Sequence, residues 1–394
     1  MISFEEALSR VQAVAKPLGE EKIAFERAEG RVLAAPVTAR FAMPRSDVSA
    51  MDGYALGEDD LREAPFRLSV SGESAAGSAP GQKLPPGTAF RIFTGAPIPE
   101  GATCVIVQEN TERDGDTLRI VRPFGPGRHI RKAGSDFRAG DVLVPAGRVL
   151  DWKTLTAAAA GDRGEVTVFR QPRVVILATG DELAAPGQAE ARPGAIPESV
   201  SFGIAAFVSG AGGQVLRRER LPDDPDTLAA ASAKALVDAD IVVMIGGASV
   251  GERDFSRSVF GAEPDYIFPK VAIKPGKPVW LANVAGKFVM GLPGNPTSAL
   301  VTARLFLAPL LDGLGGREPK DSVVFERCRL AADLAETGGR ETFVRAAITA
   351  EGARPLTSQD SSSQSALSLA ELLIRRSAHA PAAKVGEVVE ALRF

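Results

Sequence analysis

The sequence has few residues of the types that build disulfides, metal centres and nucleic-acid surfaces. It has two cysteines and two histidines in 394 residues. Cys104 and Cys328 lie far apart without CxxC spacing, so neither a disulfide framework nor a thiolate zinc site is expected. Lysine and arginine total 46 against 49 acidic residues, a net charge of −3, and no basic field dominates. A nucleic-acid partner is therefore not expected.

Targeting and membrane signals are also missing. The first residues are acidic and amphipathic, without a basic n-region or a long apolar stretch, and no apolar run is long enough to span a bilayer. We expect no membrane partner, and the cytoplasm is the default compartment. His129 and His379 each stand without a second histidine nearby, which favours loop positions over ligand or base roles. General-base or metal chemistry must then fall mainly to carboxylates.

What is present is the composition of a globular protein, 45% hydrophobic and 24% charged, long enough for about two to four domains. Short apolar pieces between Gly/Pro turns predict a β-rich region from about residue 20 to 150. From residue 173, apolar runs alternate with helical patterns, and residues 321–394 return to short strands. We divide the chain into an N-terminal region (1–170), an α/β domain (171–318) and a C-terminal β domain (319–394).

Two fully apolar runs mark the α/β domain. Residues 173–178 lead into Thr179-Gly-Asp-Glu, and residues 241–245 lead into Gly246-Gly-Ala-Ser-Val-Gly. Strands that are apolar on both faces and alternate with helices predict a parallel sheet covered on both sides. Ligands of such sheets gather at the carboxyl ends of the strands. The predicted fold class is therefore α/β plus β.

Glycines and acids follow both predicted strands. The loop with Gly247 and Ser249 suits phosphate binding through backbone N–H groups, although a tight structural turn is an equal alternative. Asp181, Glu182 and Asp254 are candidates for magnesium or catalysis, since Mg²⁺ takes one or two protein carboxylates and keeps waters. For Asp223 and Asp224 we predict helix capping.

Residues 270–298 carry the strongest signal. Lys270, Lys274 and Lys277 lie within eight positions, and Gly291-Leu-Pro-Gly-Asn295-Pro then opens an apolar helix. If residues 270–274 form a strand, Val271 and Ile273 face inward and the two outer lysines share the opposite side. Lysines supply charge, and a helix N-terminus supplies free N–H donors. The stretch predicts an oxyanion site, with a solvated charged face as the alternative.

Taken together, these segments resemble the MoeA family of molybdopterin molybdenumtransferases, which is related to the E domain of gephyrin. The matching pieces run in the family's order over nearly the whole chain: Pro44–Ala55, Arg91–Pro97, Gly134–Asp136, Thr179–Leu183, Gly246–Asp254, Lys270–Pro278, Gly291–Ala299, and Arg340 with Phe343 and Arg345. The KPGKP and GLPGNP motifs at this spacing are highly specific.

The resemblance implies an elongated multidomain subunit that works as a homodimer, with an active site shared between subunits. It divides the N-terminal region into a helical domain (about 1–20, 38–47 and 134–170) with a β-rich domain inserted (about 21–37 and 48–133). The implied reaction joins molybdate to adenylated molybdopterin and releases AMP, with Mg²⁺. Molybdopterin adenylyltransferase and molybdoenzyme maturation proteins are the implied partners.

The family's site residues carry over position by position. Lys274, Lys277, Ser298 and Arg345 match the molybdate pocket, and Lys270 matches a contact to phosphate or pterin. Asp254, with Asp181 or Glu182, would hold magnesium or position water. Asp52 matches an acid that reaches the site from the partner subunit, and Thr94 and Asp136 match further substrate contacts.

Two segments depart from the family pattern. An expected Asp-Ser-Asn triplet reads Glu198-Ser199-Val200, and an expected Ala-Asn-Gly reads Ala370-Glu371-Leu372. Val200 offers no side-chain hydrogen bond to a nucleotide or pterin. Two alternatives therefore stand beside insertion of molybdate: an enzyme that adenylates molybdopterin or hydrolyses another nucleotide, and a non-catalytic scaffold that binds pterin.

Overall fold

The computed structural model describes residues 1–122, 125, 127–246, 258–260 and 264–394, which form two compact units. The first unit comprises Met1–Ile23, Gly30–Ala34 and Thr167–Phe394, and the second comprises Ala24–Glu29 and Ala35–Val166. The chain passes between units within the strands Glu20–Ala24 and Glu165–Phe169. The finer domain division made from the sequence stays a prediction.

The second unit is built on a six-stranded sheet, which we call the N-terminal sheet. In spatial order its strands are Cys104–Val107, Gly53–Leu56, Thr88–Ile92, Phe66–Ser74, Thr117–Ile120 and Thr111–Asp114. Two strand pairs accompany it: Val37–Thr38 with Val142–Val144, and Val48–Ser49 with Ile130–Arg131. The helix Trp152–Ala160 begins at Asp151, whose side chain accepts from the Thr154 backbone N–H in a capping box. The predicted β-rich region is confirmed.

The first unit contains a second six-stranded sheet, which we call the central sheet. Its strands in spatial order are Gln214–Leu221, Arg173–Thr179, Ile241–Ile245, Lys287–Leu292, Trp280–Val284 and Asp265–Phe268. The first four strands pair in parallel, and Trp280–Val284 pairs antiparallel with both of its neighbours. A parallel pair, Leu183–Ala184 with Ile196–Pro197, follows the second of these strands. The two apolar runs therefore form adjacent parallel strands, as predicted.

Both faces of the central sheet are covered. Val174 and Ile176 pack with Ile204 of one helix, and Val175 and Leu177 pack on the opposite face with residues of another. Successive side chains of a strand point to opposite faces, so each apolar run serves two cores. The helices of this unit are Phe4–Val14, Val200–Gly210, Pro225–Asp238, Pro296–Thr302 and Ala308–Leu314.

The last two helices are parts of one helical stretch, Pro296–Leu314, joined by a π-helical segment at Ala303–Leu307. Pro309 has no N–H to bond the Leu305 carbonyl and would crowd it in a regular helix, so the wider turn accommodates the proline. Within the described residues, this is the stretch long and apolar enough to cross a membrane by length and composition. It is 83% buried, which fits a core helix.

A third sheet, the C-terminal sheet, completes the first unit. Its strands in spatial order are Ile273–Lys274, Glu341–Thr349, Leu372–Arg376, Val388–Arg393 and Glu326–Arg329, and Gly352–Pro355 pairs with the second of these. The short strands expected over residues 321–394 do not include residues 323–325, where the apolar run Val-Val-Phe suggests one. Val323 is buried there, and the Phe325 ring packs edge-on against Phe4 at 6.1 Å, so these side chains fill the core before the strand begins.

A cluster of charges lies where this sheet meets the first helix. The guanidinium of Arg375 contacts the carboxyl groups of Glu5, Glu341 and Glu390. One positive charge is shared by three acids, and the Glu341 side chain is only 12% exposed. Although Arg375 by itself favours the ionised form, burial and then repulsion by Glu390 raise the pKa of Glu341 to about 7.

This cluster predicts that stability falls as pH rises. Unfolded Glu341 loses its proton near its ordinary pKa of 4.5, whereas the folded carboxyl keeps it up to about 7. The stabilisation that the protonated Glu341 gives to the folded state is therefore complete below pH 4.5 and lost by about pH 7. After solvent screening, we expect the free energy of unfolding to fall by about 1 kcal/mol over this range. Thermal unfolding should show this slope in the unaltered chain and a flatter one in Glu341→Gln. Equal slopes would contradict the assignment.

Candidate active site

A cavity of about 600 Å³ lies where strands Arg173–Thr179 and Ile241–Ile245 end. It falls in the size range of small-molecule sites and sits at the carboxyl edge of parallel strands, where open α/β sheets bind ligands. Its polar lining is Thr179, Glu182, Glu198, Ser199, Asp223, Asn295, Ser362 and Gln364. Its apolar lining includes Leu183, Ile196, Val200, Ile245 and several prolines. The predicted position of the site is thus occupied by a cavity of suitable size.

Asp223, an acid of the cavity lining, lies in the loop that follows strand Gln214–Leu221. Asp223 accepts a hydrogen bond from the Thr179 hydroxyl, and its backbone N–H donates to Asp181 Oδ1 at 3.2 Å. The predicted capping role is wrong for Asp223, because its side chain turns to the strand end. It is confirmed for Asp224, whose carboxylate accepts from the Thr227 N–H at 2.8 Å. The Thr227 hydroxyl and then this N–H lower the pKa of Asp224.

Glu182 lines the same cavity. A Cβ at Gly180 would lie 2.8 Å from a carboxylate oxygen of Glu182, so glycine lets this carboxylate fold back over the chain. Across the described ranges, three or more His, Cys, Asp or Glu side chains do not gather into a metal-binding group. Glu182 and Asp223 nonetheless suit Mg²⁺, which binds through one or two carboxylates and completes its shell with phosphate oxygens and water.

A buried polar network at the cavity wall was not predicted. Glu198 is 5% exposed and accepts from the Ser201 N–H at 2.8 Å and hydroxyl at 2.6 Å. Arg218 donates to the same hydroxyl at 2.9 Å. The network caps the helix that begins at Val200, because the N-cap Ser199 makes no capping bond and instead donates to Gln364 at 3.0 Å. The sequence signal that could have revealed this network is an acidic residue, Glu198, three positions before a serine, Ser201, at the start of a helix.

The lysine segment is only partly the predicted strand. Val271 and Ile273 are fully buried, as predicted. A continuous strand over residues 270–274 is wrong, because the strand is limited to Ile273–Lys274, which pairs with Glu341–Thr342 of the C-terminal sheet, while Val271 forms an isolated bridge with Ile2. Lys270 lies outside that strand, and its carbonyl accepts from the Ile2 N–H at 3.2 Å. Lys270 and Lys274 therefore do not share one side of a continuous strand.

The turn between Lys274 and Lys277 packs on the helix Pro296–Thr302. Gly276 has a φ of +103°, and a Cβ there would overlap the Thr302 methyl and lie 3.7 Å from the Ser298 carbonyl. Ser298 is 5% exposed, whereas both lysines are exposed. The turn that carries two predicted cations thus packs against the helix that carries a predicted hydroxyl.

Arg345 approaches the same turn from the C-terminal sheet. It is 1% exposed and donates to Thr297 Oγ1 at 2.8 Å and to the Asp360 carbonyl at 3.1 Å. Burial lowers the pKa of its guanidinium, and Asp360 opposes this shift. Its Nε is buried without a hydrogen-bond partner in the described part of the chain. A buried cation with an unused donor beside the helix N-terminus suits an anion.

Two predicted residues of the second unit contact each other. Asp52 Oδ1 accepts from the Thr94 N–H at 2.7 Å and hydroxyl at 2.8 Å. The N–H and then the hydroxyl lower the pKa of Asp52, so its carboxylate is held ionised. Asp136 is exposed, and its N–H donates to the Met43 carbonyl at 3.0 Å. His129 and His379 lie in turns with positive φ, as expected for loop residues.

Three predicted residues, Gly247, Ser249 and Asp254, lie outside the described residues. Their predicted roles in phosphate and magnesium binding stay predictions.

Comparison with known proteins gives a consistent result. Family models match residues 2–161 (MoeA N-terminal region, domain I and II), 175–313 (probable molybdopterin binding domain) and 327–394 (MoeA C-terminal region, domain IV). A molybdopterin molybdenumtransferase from Nostoc sp. is 36% identical over 325 residues, covering 80% of this chain and 74% of that protein. The chain belongs to the MoeA family of molybdopterin molybdenumtransferases.

Further MoeA relatives agree over most of their length. Molybdopterin molybdenumtransferase 2 from Mycobacterium tuberculosis is 37% identical over 341 residues, 83% of this chain and 82% of that protein. The crystal structure of a molybdopterin biosynthesis MoeA protein from Pyrococcus horikosii has a TM-score of 0.85 at 31% identity, covering 100% of this chain and 99% of that chain. The predicted MoeA fold class is confirmed, and membership of this family makes the chain a transferase of molybdenum cofactor biosynthesis.

The contact of Gly276 with Thr302 predicts a specific sensitivity. Gly276→Ala places a methyl against a fully buried helix side chain at positive φ, and we expect a loss of about 2–3 kcal/mol of unfolding free energy. Gly286→Ala is the matched control, since Gly286 has a φ of +79° but open space around it, and should lose about 1 kcal/mol. Equal losses in chemical denaturation would show that the turn does not depend on this contact.

Proposed function

We propose that this chain inserts molybdate into adenylated molybdopterin and releases AMP. The observation that carries the proposal is the presence of an acidic cavity together with a cationic turn that packs on helix Pro296–Thr302. The names of the relatives favour this reaction over the adenylation of molybdopterin and over a non-catalytic scaffold.

The cationic turn supplies what molybdate requires. Molybdate is a tetrahedral dianion, and Lys274 and Lys277 offer exposed ammonium groups beside the buried hydroxyl of Ser298. Arg345 stands behind that helix turn with an unused donor. We assign molybdate binding to these four residues. When the two thiols of the dithiolene bind molybdenum, their protons leave with one molybdate oxygen as water.

We assign the second half of the reaction, cleavage of the adenylate, to the cavity. Water adds to phosphorus, the pyrophosphate P–O bond breaks, and AMP leaves with the former bridging oxygen or the water oxygen. Glu182 and Asp223 would hold Mg²⁺, which neutralises charge on the phosphates. Asp181 keeps the Asp223 backbone in place, and Lys270 is assigned to a phosphate or the pterin. Thr94 and Asp136 are assigned to substrate binding, and the cytoplasm stays the expected compartment.

The direct test is an insertion assay with purified chain, adenylated molybdopterin, Mg²⁺ and molybdate. We expect AMP and molybdenum cofactor to form together, and Lys274→Ala to lower the rate about 100-fold through loss of one preorganised cation. The exposed residue Lys234, changed to alanine, serves as the control and should keep full activity. Full activity of Lys274→Ala would remove this lysine from the pocket, and nucleotide turnover independent of molybdate would contradict the proposed reaction.

We also propose a homodimer in which Asp52, held ionised by Thr94, completes the partner's site. Asp52→Ala and Lys274→Ala should each retain only about a hundredth of the activity or less when alone. After mixing and subunit exchange, half of random dimers carry both changes, with one intact site each, so about a quarter of the activity should return. No recovery, with exchange verified by mass, would contradict a shared site. Size measurement by sedimentation tests the dimer itself.

A further inference from the structure

One wall of the cavity is formed by residues 360–364, which we call the serine loop. Ser362 and Gln364 of this loop line the cavity. Asp360 shapes the loop internally, because its carboxylate accepts from the Ser362 N–H at 2.8 Å and hydroxyl at 2.6 Å. The hydroxyl and then the N–H lower the pKa of Asp360. The loop is thus a preformed structure rather than an open connection.

The serine loop is tied to the helix that carries Ser298. The Thr297 N–H donates to the Ser361 carbonyl at 3.2 Å, and the Thr297 hydroxyl donates to the Ser363 carbonyl at 3.1 Å. Asn295 donates to the Ser361 hydroxyl at 3.0 Å. Polar groups at the start of the helix therefore hydrogen-bond to the serine loop.

Arg345 joins these two parts. Its guanidinium donates to Thr297 on the helix and to the Asp360 carbonyl at the start of the loop. Because it is buried and contacts both, its position determines how the proposed molybdate pocket lies relative to the cavity wall.

Gln359 holds the backbone of Arg345 in both directions. Its side-chain oxygen accepts from the Arg345 N–H at 3.0 Å, and its amide nitrogen donates to the Arg345 carbonyl at 2.9 Å. The same nitrogen donates to the Leu356 carbonyl at 2.9 Å. One acceptor and two donors of the amide are therefore all used. Gln359 itself is exposed, so these bonds, and not burial of apolar surface, are its contribution.

We propose that Gln359 is a positioning residue for the reaction. It touches no substrate. Gln359 fixes the backbone at Arg345 and the start of the serine loop. The proposed molybdate pocket is thereby held in a fixed position relative to the cavity. The inference rests on the proposed function, because it gives Arg345 its role at the molybdate pocket.

The test compares molybdate dependence in the unaltered chain and in Gln359→Ala. Loss of two or three ordinary hydrogen bonds should raise the KM for molybdate about tenfold, with kcat changed less than about twofold and the unfolding temperature within a few degrees. Gln359→Glu retains the acceptor for the Arg345 N–H and loses both donors, so its KM should lie between. Gln82→Ala, at an exposed glutamine of the second unit, is the control and should match the unaltered chain.

Equilibrium binding of molybdate, measured calorimetrically, distinguishes a positioning role of Gln359 from a merely structural one. A weaker affinity in Gln359→Ala supports the inference. An unchanged KM and affinity overturn it, even if the variant is less stable, because a merely structural role lowers stability without moving molybdate dependence. If the unaltered chain neither binds nor inserts molybdate, the proposed function fails first and the inference fails with it.

Discussion

The contact between Gly276 and Thr302 is the constraint on which the rest of the site depends. The chain leaves the C-terminal sheet at Ile273–Lys274 and enters the central sheet at Trp280, so the turn between them belongs to both. Only a residue without a side chain, at a φ of +103°, can lie this close to the helix. The turn that carries two exposed lysines is thereby held against the helix that bears Ser298.

The two halves of the site are kept electrostatically distinct. Cations collect at the turn and at Arg345, whereas Glu182 and Asp223 stand in the cavity. In the proposed reaction, molybdate would bind beside the first group and a Mg²⁺-bound phosphate chain beside the second, since Mg²⁺ is held by carboxylates and phosphates. The serine loop contacts the helix through Thr297 and lines the cavity through Gln364. Under the proposed function, this arrangement would let the site treat two negatively charged substrates differently.

Local patterns were sufficient to predict the parts of this molecule that depend on neighbouring residues. The apolar runs predicted both parallel strands, and alternation predicted that Val271 and Ile273 face inward. Asp223 and Asp224 could not be separated by sequence, because which acid caps the helix depends on Thr179, far away in the chain. The contacts of the serine loop and the Glu198 network were missed for the same reason, since their partners lie in other elements of the fold.

The most direct measurement is a crystal structure of the chain soaked in molybdate, with the anion located by the anomalous scattering of molybdenum. The account predicts one strong anomalous peak beside the Lys274–Lys277 turn, within hydrogen-bond distance of Ser298 and on the side of the helix turn that Arg345 supports. A peak elsewhere on the molecule, with this position empty at saturating molybdate, would contradict it.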